Sequence, residues 1–328
     1  MSLKKVSAAT IIALSLAACS SGSDSPNSTL PNTNPTVTNP SNGSQTNNGN
    51  AAANNENNAA SNGNTAANAN NPANSGNTTA NNPPPHVDFS VSYEGIKNTA
   101  DKDIRELAED KKIDGAVILK SYKVNLGNQS SSGNNFNLSS IPLKTLVSQN
   151  YRETVVAQAE GQNHTIARNG VAHIYRQNYS LIAGITPTGL TINGESEELD
   201  TDDDDTNILI KGYATQNLPI AGKFDYSGVA SDGASQGKLA YSVDFDSRKG
   251  SGKITGLDSD IHLNEAEIKK MSYTNKETDG TTINGYGIEG SSNRGGSYRL
   301  GFFGPDAEEI VGTVDDQKNG EIGFAGSR

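Results

Sequence analysis

The sequence predicts a mainly β protein: an N-terminal antiparallel β domain followed by a C-terminal antiparallel β-barrel, after a disordered N-terminal tether. Three observations carry this. Short runs alternating apolar and polar residues with period two fill the second half of the chain. Glycine-bearing turn signals separate those runs. An Asn/Ala/Ser/Thr-rich stretch with almost no large apolar residue precedes them all.

The chain opens Met1-Ser2-Leu3-Lys4-Lys5 and continues apolar from Val6 to Ala18. Lysines before an apolar run of about a dozen residues have the layout of a secretory signal peptide, and the run is too short to span a bilayer. Residues 1–18 are assigned to that signal. The following Leu16-Ala17-Ala18-Cys19, with Ser20 next, resembles the lipobox of bacterial lipoproteins. That resemblance implies acylation, palmitate included, at Cys19. Cys19 is the only cysteine in the sequence, so no intramolecular disulfide can form. Buried methylenes contribute roughly 0.8 kcal/mol each, so several acyl chains make a durable anchor. Ser20, standing where aspartate would favour inner-membrane retention, points to a lipid-anchored protein sorted to the outer membrane.

Residues 19–85 read as the tether. Asp24 and Glu56 are its only charges, and its composition cannot bury enough surface to offset the entropy of ordering. A flexible coil of that length spans on the order of 45 Å. The formal net charge is −11. Lys4 and Lys5 cancel Asp24 and Glu56, so the remaining region holds the whole −11. That balance argues against nucleic acid and against docking on anionic lipid.

Residues 86–217 form the expected N-terminal β-rich domain. Asp103-Ile104-Arg105-Glu106 has the form of a capping box opening a short helix with Leu107 and Ala108. Asn169-Gly170 is a two-residue hairpin signal, with strands expected over 164–168 and 171–176. The run from Glu195 to Asp205 is self-repelling and reads as a solvated loop. It fails the calcium-loop test, since from Asp200 the sixth position is Asp205 and the twelfth is Lys211.

Residues 218–328 form the expected barrel. Leu239, Tyr241, Val243 and Phe245 point one way and Lys238, Ser242, Asp244 and Asp246 the other. Phe224 and Tyr226, then Tyr298, Leu300 and Phe302, then Ile322 and Phe324, repeat the pattern. Turns are expected at Ser231-Asp232-Gly233, Lys249-Gly250-Ser251-Gly252, Asp279-Gly280 and Arg294-Gly295-Gly296. Half-apolar strands broken this way suggest an antiparallel barrel with a packed interior.

No Gly-x-Ser-x-Gly, Walker, dinucleotide or clustered Cys/His motif occurs, so the expectation is a binding protein without a cofactor and not an enzyme. One cofactor alternative is haem or a metal. If Asn169-Gly170 turns, His164 and His173 become diagonal neighbours roughly 7–8 Å apart on one face.

Three stretches carry a family resemblance. They are Phe224-Asp225-Tyr226-Ser227-Gly228 running on to Gly237-Lys238-Leu239-Ala240-Tyr241, then Lys249-Gly250-Ser251-Gly252-Lys253-Ile254, and then Gly301-Phe302-Phe303-Gly304 with Ala307-Glu308-Glu309. These resemble the factor H-binding protein family and its transferrin-binding-protein-like barrel relatives. Gly161 through Gly170 to Gln177 resembles the family's first domain more weakly. The resemblance implies cell-surface display, help from an outer-membrane lipoprotein exporter, and a host serum partner. That partner is factor H, for immune evasion, or an iron carrier, for nutrient acquisition. A structural or adhesive protein with no discrete ligand is a third reading. Members that bind factor H present two barrel carboxylates. One falls on Asp315 and keeps its charge, while the other falls on Arg294, which reverses it. Glu308 and Glu309 lie in the same C-terminal stretch and complete the expected partner-binding set.

Overall fold

The computed structural model describes residues 85–110, 116–197, 207–316 and 320–328. The signal segment, Cys19, nearly all of the tether and the aspartate run lie outside the described residues.

The chain begins with β1 (Ser90–Val91) and α1 (Tyr93–Asp110), then β2 (Ile118–Leu126), β3 (Gln129–Ser131), β4 (Phe136–Asn137), β5 (Leu146–Ala159), β6 (Gln162–Arg176), β7 (Ser180–Ile192), β8 (Glu195–Glu197) and β9 (Asn207–Gly212). Strands β3-β2-β5-β6-β7-β8 form an antiparallel sheet, and β9 shares the outer edge of β7 with β8. β1 and β4 pair separately.

The helix is capped by Ser92, whose Oγ accepts from the Gly95 amide at 3.0 Å. Tyr93, Ile96, Ala100 and Ile104 share one helical face and pack on Val124, Leu126, Ala157, Ile174 and Leu181 of the sheet. The helix is thus longer than the sequence suggested, and Asp103 stands in its middle instead of at its start. A Ser followed three residues later by Gly escapes the capping-box pattern, which looks for Glu or Gln there.

The expected hairpin at Asn169-Gly170 does not form. β6 runs unbroken, with Asn169 opposite Arg152 on β5 and Gly189 on β7. The dipeptide sits at a bulge in mid-sheet, where a Cβ on Gly170 would lie 2.7 Å from the Thr186 carbonyl oxygen. The turns are made elsewhere. Glu160-Gly161 joins β5 to β6 and Asn193-Gly194 joins β7 to β8, all four residues having positive φ.

The barrel follows as β10 (Lys223–Ser231), β11 (Gln236–Asp244), β12 (Lys249–Thr255), β13 (Ile261–Thr274), β14 (Thr282–Ser291), β15 (Ser297–Phe303), β16 (Glu309–Asp316) and β17 (Gly320–Ser327). Each strand pairs with the next, and β17 closes on β10, giving a closed antiparallel up-and-down barrel. Eight strands leave an interior that side chains can fill. Leu239, Tyr241, Val243, Phe245, Tyr298, Leu300, Phe302, Ile322 and Phe324 all point inward and are buried, as their alternation predicts. Each contributes roughly 1.5–3 kcal/mol of burial, so the lumen is a core. Its polar tips are satisfied: Tyr241 and Tyr298 share a hydroxyl–hydroxyl bond of 3.0 Å, and the Tyr226 hydroxyl donates to the Ala307 carbonyl at 2.6 Å.

Three of the four expected barrel turns are turns. The fourth, Lys249 to Gly252, lies inside β12, and the turn before it is 245–248. Gly250 and Gly252 are small because the Tyr241 ring crosses them. A Cβ on Gly250 would come within 2.8 Å of that ring.

The sheet lies along one side of the barrel. Tyr175, Ile182, Ile208 and Ile210 from the sheet meet Phe303, Val311 and Ala325 on the barrel's outer wall. That contact explains why β16 is buried on both its faces for most of its length.

Candidate partner-binding surface

The meander puts the turns at 232–235, 256–260 and 292–296 at one end of the barrel and those at 245–248, 275–281 and 304–308 at the other. This splits the expected partner-binding residues into two groups. Asp315 and Arg294 lie at the first end. Glu308 and Glu309 lie at the second, about 20 Å away along β16 at ~3.3 Å per residue.

Asp315 is exposed on the outer wall, directly across from Glu321 on β17. That register sets two carboxylates side by side on the outer wall. Arg294 occupies the neighbouring turn but does not offer its charge to solvent. Its guanidinium folds over the barrel end onto Asp316, with Nε to Oδ1 at 3.3 Å and Nη2 to Oδ2 at 2.8 Å. Nη2 also reaches both Asp258 oxygens at 3.2 and 3.3 Å. The Asp316 side chain is 0% exposed and that of Arg294 is 15% exposed. The hydrogen bond to Asp316, with that to Asp258, holds Arg294 above its ordinary pKa. The charge reversal read from the sequence is therefore an internal cap, matched by two carboxylates of the same chain.

Glu309 is buried. Its carboxylate accepts from the amides of Asn178 and Tyr179 at 2.8 and 3.0 Å and from the Ser180 hydroxyl at 2.7 Å. Burial raises its pKa, and those three donors oppose the rise. Glu309 thus clasps the β6–β7 turn to the barrel and is not presented to a partner. Glu308 is half-buried and accepts from the Asp306 amide at 2.9 Å.

A second clasp joins sheet and barrel. Lys211 on β9 donates to Asp279 Oδ2 at 2.5 Å and to Thr281 Oγ1 at 3.0 Å. Asn275 closes the same junction through the Ile210 amide and carbonyl at 2.8 and 2.9 Å. The sequence held no signal for either, because the partners are more than sixty residues apart.

The two histidines are not brought together. They stand nine positions apart on one continuous strand, an odd separation that places them on opposite faces, about 30 Å apart. His173 bonds Ser148 Oγ at 3.0 Å, and His164 lies 3.4 Å from Asn193 Nδ2. The shared haem or metal pair depended on the hairpin and falls with it. Among the described residues no cluster of three or more His, Cys, Asp or Glu has metal-site geometry.

Residues 216–314 match the family described as Factor H binding protein, C-terminal. The barrel is thus similar to that family's C-terminal domain. The factor H-binding match begins just before β10 and ends within β16, so the sheet and α1 lie outside it. Solved structures with some likeness include intact Ap-TbpB (N and C lobes), 15% identical over 63% of this chain and 46% of that one, with a TM-score of 0.33. A double mutant of Transferrin Binding Protein B from Haemophilus parasuis Hp5 is 16% identical over 64% of this chain and 44% of that one, TM-score 0.32. A surface lipoprotein is 13% identical over 63% of this chain and 98% of that one, TM-score 0.30. The matches to the first two span less than half the length of those proteins.

Proposed function

We infer that this is a lipid-anchored protein of the bacterial outer-membrane surface that binds a host protein through its barrel, without catalysing a reaction. Factor H is the first partner to test. The observation that carries the reading is the match of residues 216–314 to the factor H-binding C-terminal family, with Asp315 exposed at one barrel end. The anchor rests on the lipobox-like run ending at Cys19, and the tether gives the reach to clear surface polysaccharide. Export by an outer-membrane lipoprotein exporter goes with the same reading.

Asp315 is the contact residue of the proposed surface. An exposed acidic rim group acts mainly on encounter with a basic partner, so its removal slows association and the effect fades with salt. The test is recovery of partners from host serum on the purified protein, followed by surface plasmon resonance on Asp315→Ala. Factor H captured, with a several-fold slower association for the variant at low salt, supports the reading. Transferrin or haemoglobin captured instead replaces the partner. No serum protein captured overturns it.

A further inference from the structure

Between α1 and the sheet lies a cavity of about 100 Å³ whose features the host-protein reading does not use. Its walls are apolar, among them Val91, Val124, Leu126, Phe136, Leu138 and Ile174. One end is polar. There Arg168 on β6 pairs with Glu153 on β5 at 3.0 Å, and both Tyr122 and Tyr151 close in beside them. Asp103 of α1 completes that end, and its Oδ1 is buried without a hydrogen-bond partner. Glu277 and Thr278, from the barrel turn between β13 and β14, form the rim.

A buried carboxylate oxygen with no donor is rare in folded proteins, because its desolvation goes uncompensated. Here the one guanidinium of the lining is engaged by Glu153, and Asp103 and Glu277 add two further carboxyl groups. An anionic ligand would meet three carboxyl groups. A neutral hydrocarbon would leave the orphan oxygen unmet. A donor with positive charge satisfies the oxygen and offsets the excess of acid, while an apolar body fills the walls.

We propose that this cavity binds a small amine, an ammonium group on a short hydrocarbon body, with Asp103 receiving the ammonium. The volume suits few atoms: an engineered apolar cavity of roughly 150 Å³ takes a benzene. Binding is coupled to a proton. The Asp103 carboxyl is pushed up to about 7, first by burial, then by Glu277 and Glu153, against the opposing charges of Arg168 and Lys102. An ammonium beside it favours the ionised form, so binding below that value releases a proton and the affinity rises as pH climbs toward it.

The test uses the full chain and three probes of matched length: n-butylammonium, 1-butanol and butyrate. Isothermal titration and amide chemical shifts are expected to show n-butylammonium binding in the millimolar range, with shifts at the cavity lining and butyrate absent. Repeating the titration at pH 6.5 in buffers of different ionisation enthalpy is expected to show proton release. Asp103→Asn keeps the shape and removes the charge. It is expected to weaken n-butylammonium at least ten-fold, abolish the proton release, and leave 1-butanol unchanged. Equal binding of all three probes, binding indifferent to Asp103→Asn, or no binding of n-butylammonium each overturns the proposal, the last leaving a water-filled void. Capture of a serum protein is a separate readout, so either reading can fail while the other stands.

Discussion

Replacing Lys211 by Met tests whether sheet and barrel are held together by the buried pair at their junction. Lys211 Nζ lies 2.5 Å from Asp279 Oδ2, and the two side chains are 10% and 0% exposed. Asp279 also accepts from the Thr281 hydroxyl at 2.6 Å and from the Ser92 amide at 3.3 Å. One carboxylate therefore ties β9, the β13–β14 turn and the start of α1. Methionine keeps the aliphatic stem and removes the charge, leaving the carboxylate buried beside neutral donors. Breaking a buried pair from one side costs about 3–5 kcal/mol, most of it the uncompensated charge. Burial alone would raise the Asp279 carboxyl, but the Lys211 and Thr281 hydrogen bonds and the Lys211 charge hold it below its ordinary value. In the parent protein that contribution is present above the unfolded carboxyl range and is lost only as pH falls through the lowered value. Without the lysine, burial dominates and Asp279 takes up a proton more readily. The deficit of the variant is therefore largest near pH 7.5 and narrows toward pH 4.5. The chain has no tryptophan, so urea unfolding is followed by far-ultraviolet circular dichroism. Lys211→Met/Asp279→Asn should recover part of the loss. A deficit below about 1 kcal/mol at pH 7.5, or one equal at both pH values, would refute the argument.

Arg294→Glu should destabilise the barrel by about 3 kcal/mol or more, because it sets a third carboxylate against Asp316 and Asp258, and denaturant midpoints check it. A gain in factor H affinity from that substitution would show that the turn opens on binding. Asp103→Asn should become more stabilising as pH rises. The carboxyl is raised, so its contribution is complete below the unfolded pKa and lost as pH passes about 7. The gain from pH 5 to pH 8 should reach at most about 2–3 kcal/mol after allowing for partial solvent screening, read as a difference in Tm. Cys19→Ala should move the protein from the detergent phase to the aqueous phase on Triton X-114 partitioning, and a variant still membrane-bound would sink the anchor.

Local patterns were legible. The alternation at Leu239, Tyr241, Val243 and Phe245 reports which way each side chain leaves a strand, and that depends only on the neighbours in sequence. Turn dipeptides were half legible. Asn-Gly closes a hairpin at 193–194, yet at 169–170 the same pair lies in the middle of β6. There the sheet neighbours on both sides supply more pairing than a turn would, and the tertiary context overrides the local preference. Gly250 and Gly252 read as a turn for the same reason: nothing in their own segment reveals the Tyr241 ring that requires them to be small.

The sequence by itself determined the order of its kinds of segment: an apolar run ending at one cysteine, a polar Asn/Ala/Ser-rich stretch, and an acidic region with the two-residue alternation of strands. Composition and period suffice for that, since they count what a segment can bury. Only the tertiary structure decided what each charge does. Asp315 is exposed on the outer wall, Arg294 is spent on Asp316 and Asp258, and Glu309 is buried under the Asn178, Tyr179 and Ser180 donors. It also separated His164 from His173 and gathered Asp103, Glu153, Arg168 and Glu277 around one cavity. A charge acts through whatever lies within a few ångströms of it, and strand pairing brings those neighbours from dozens of residues away.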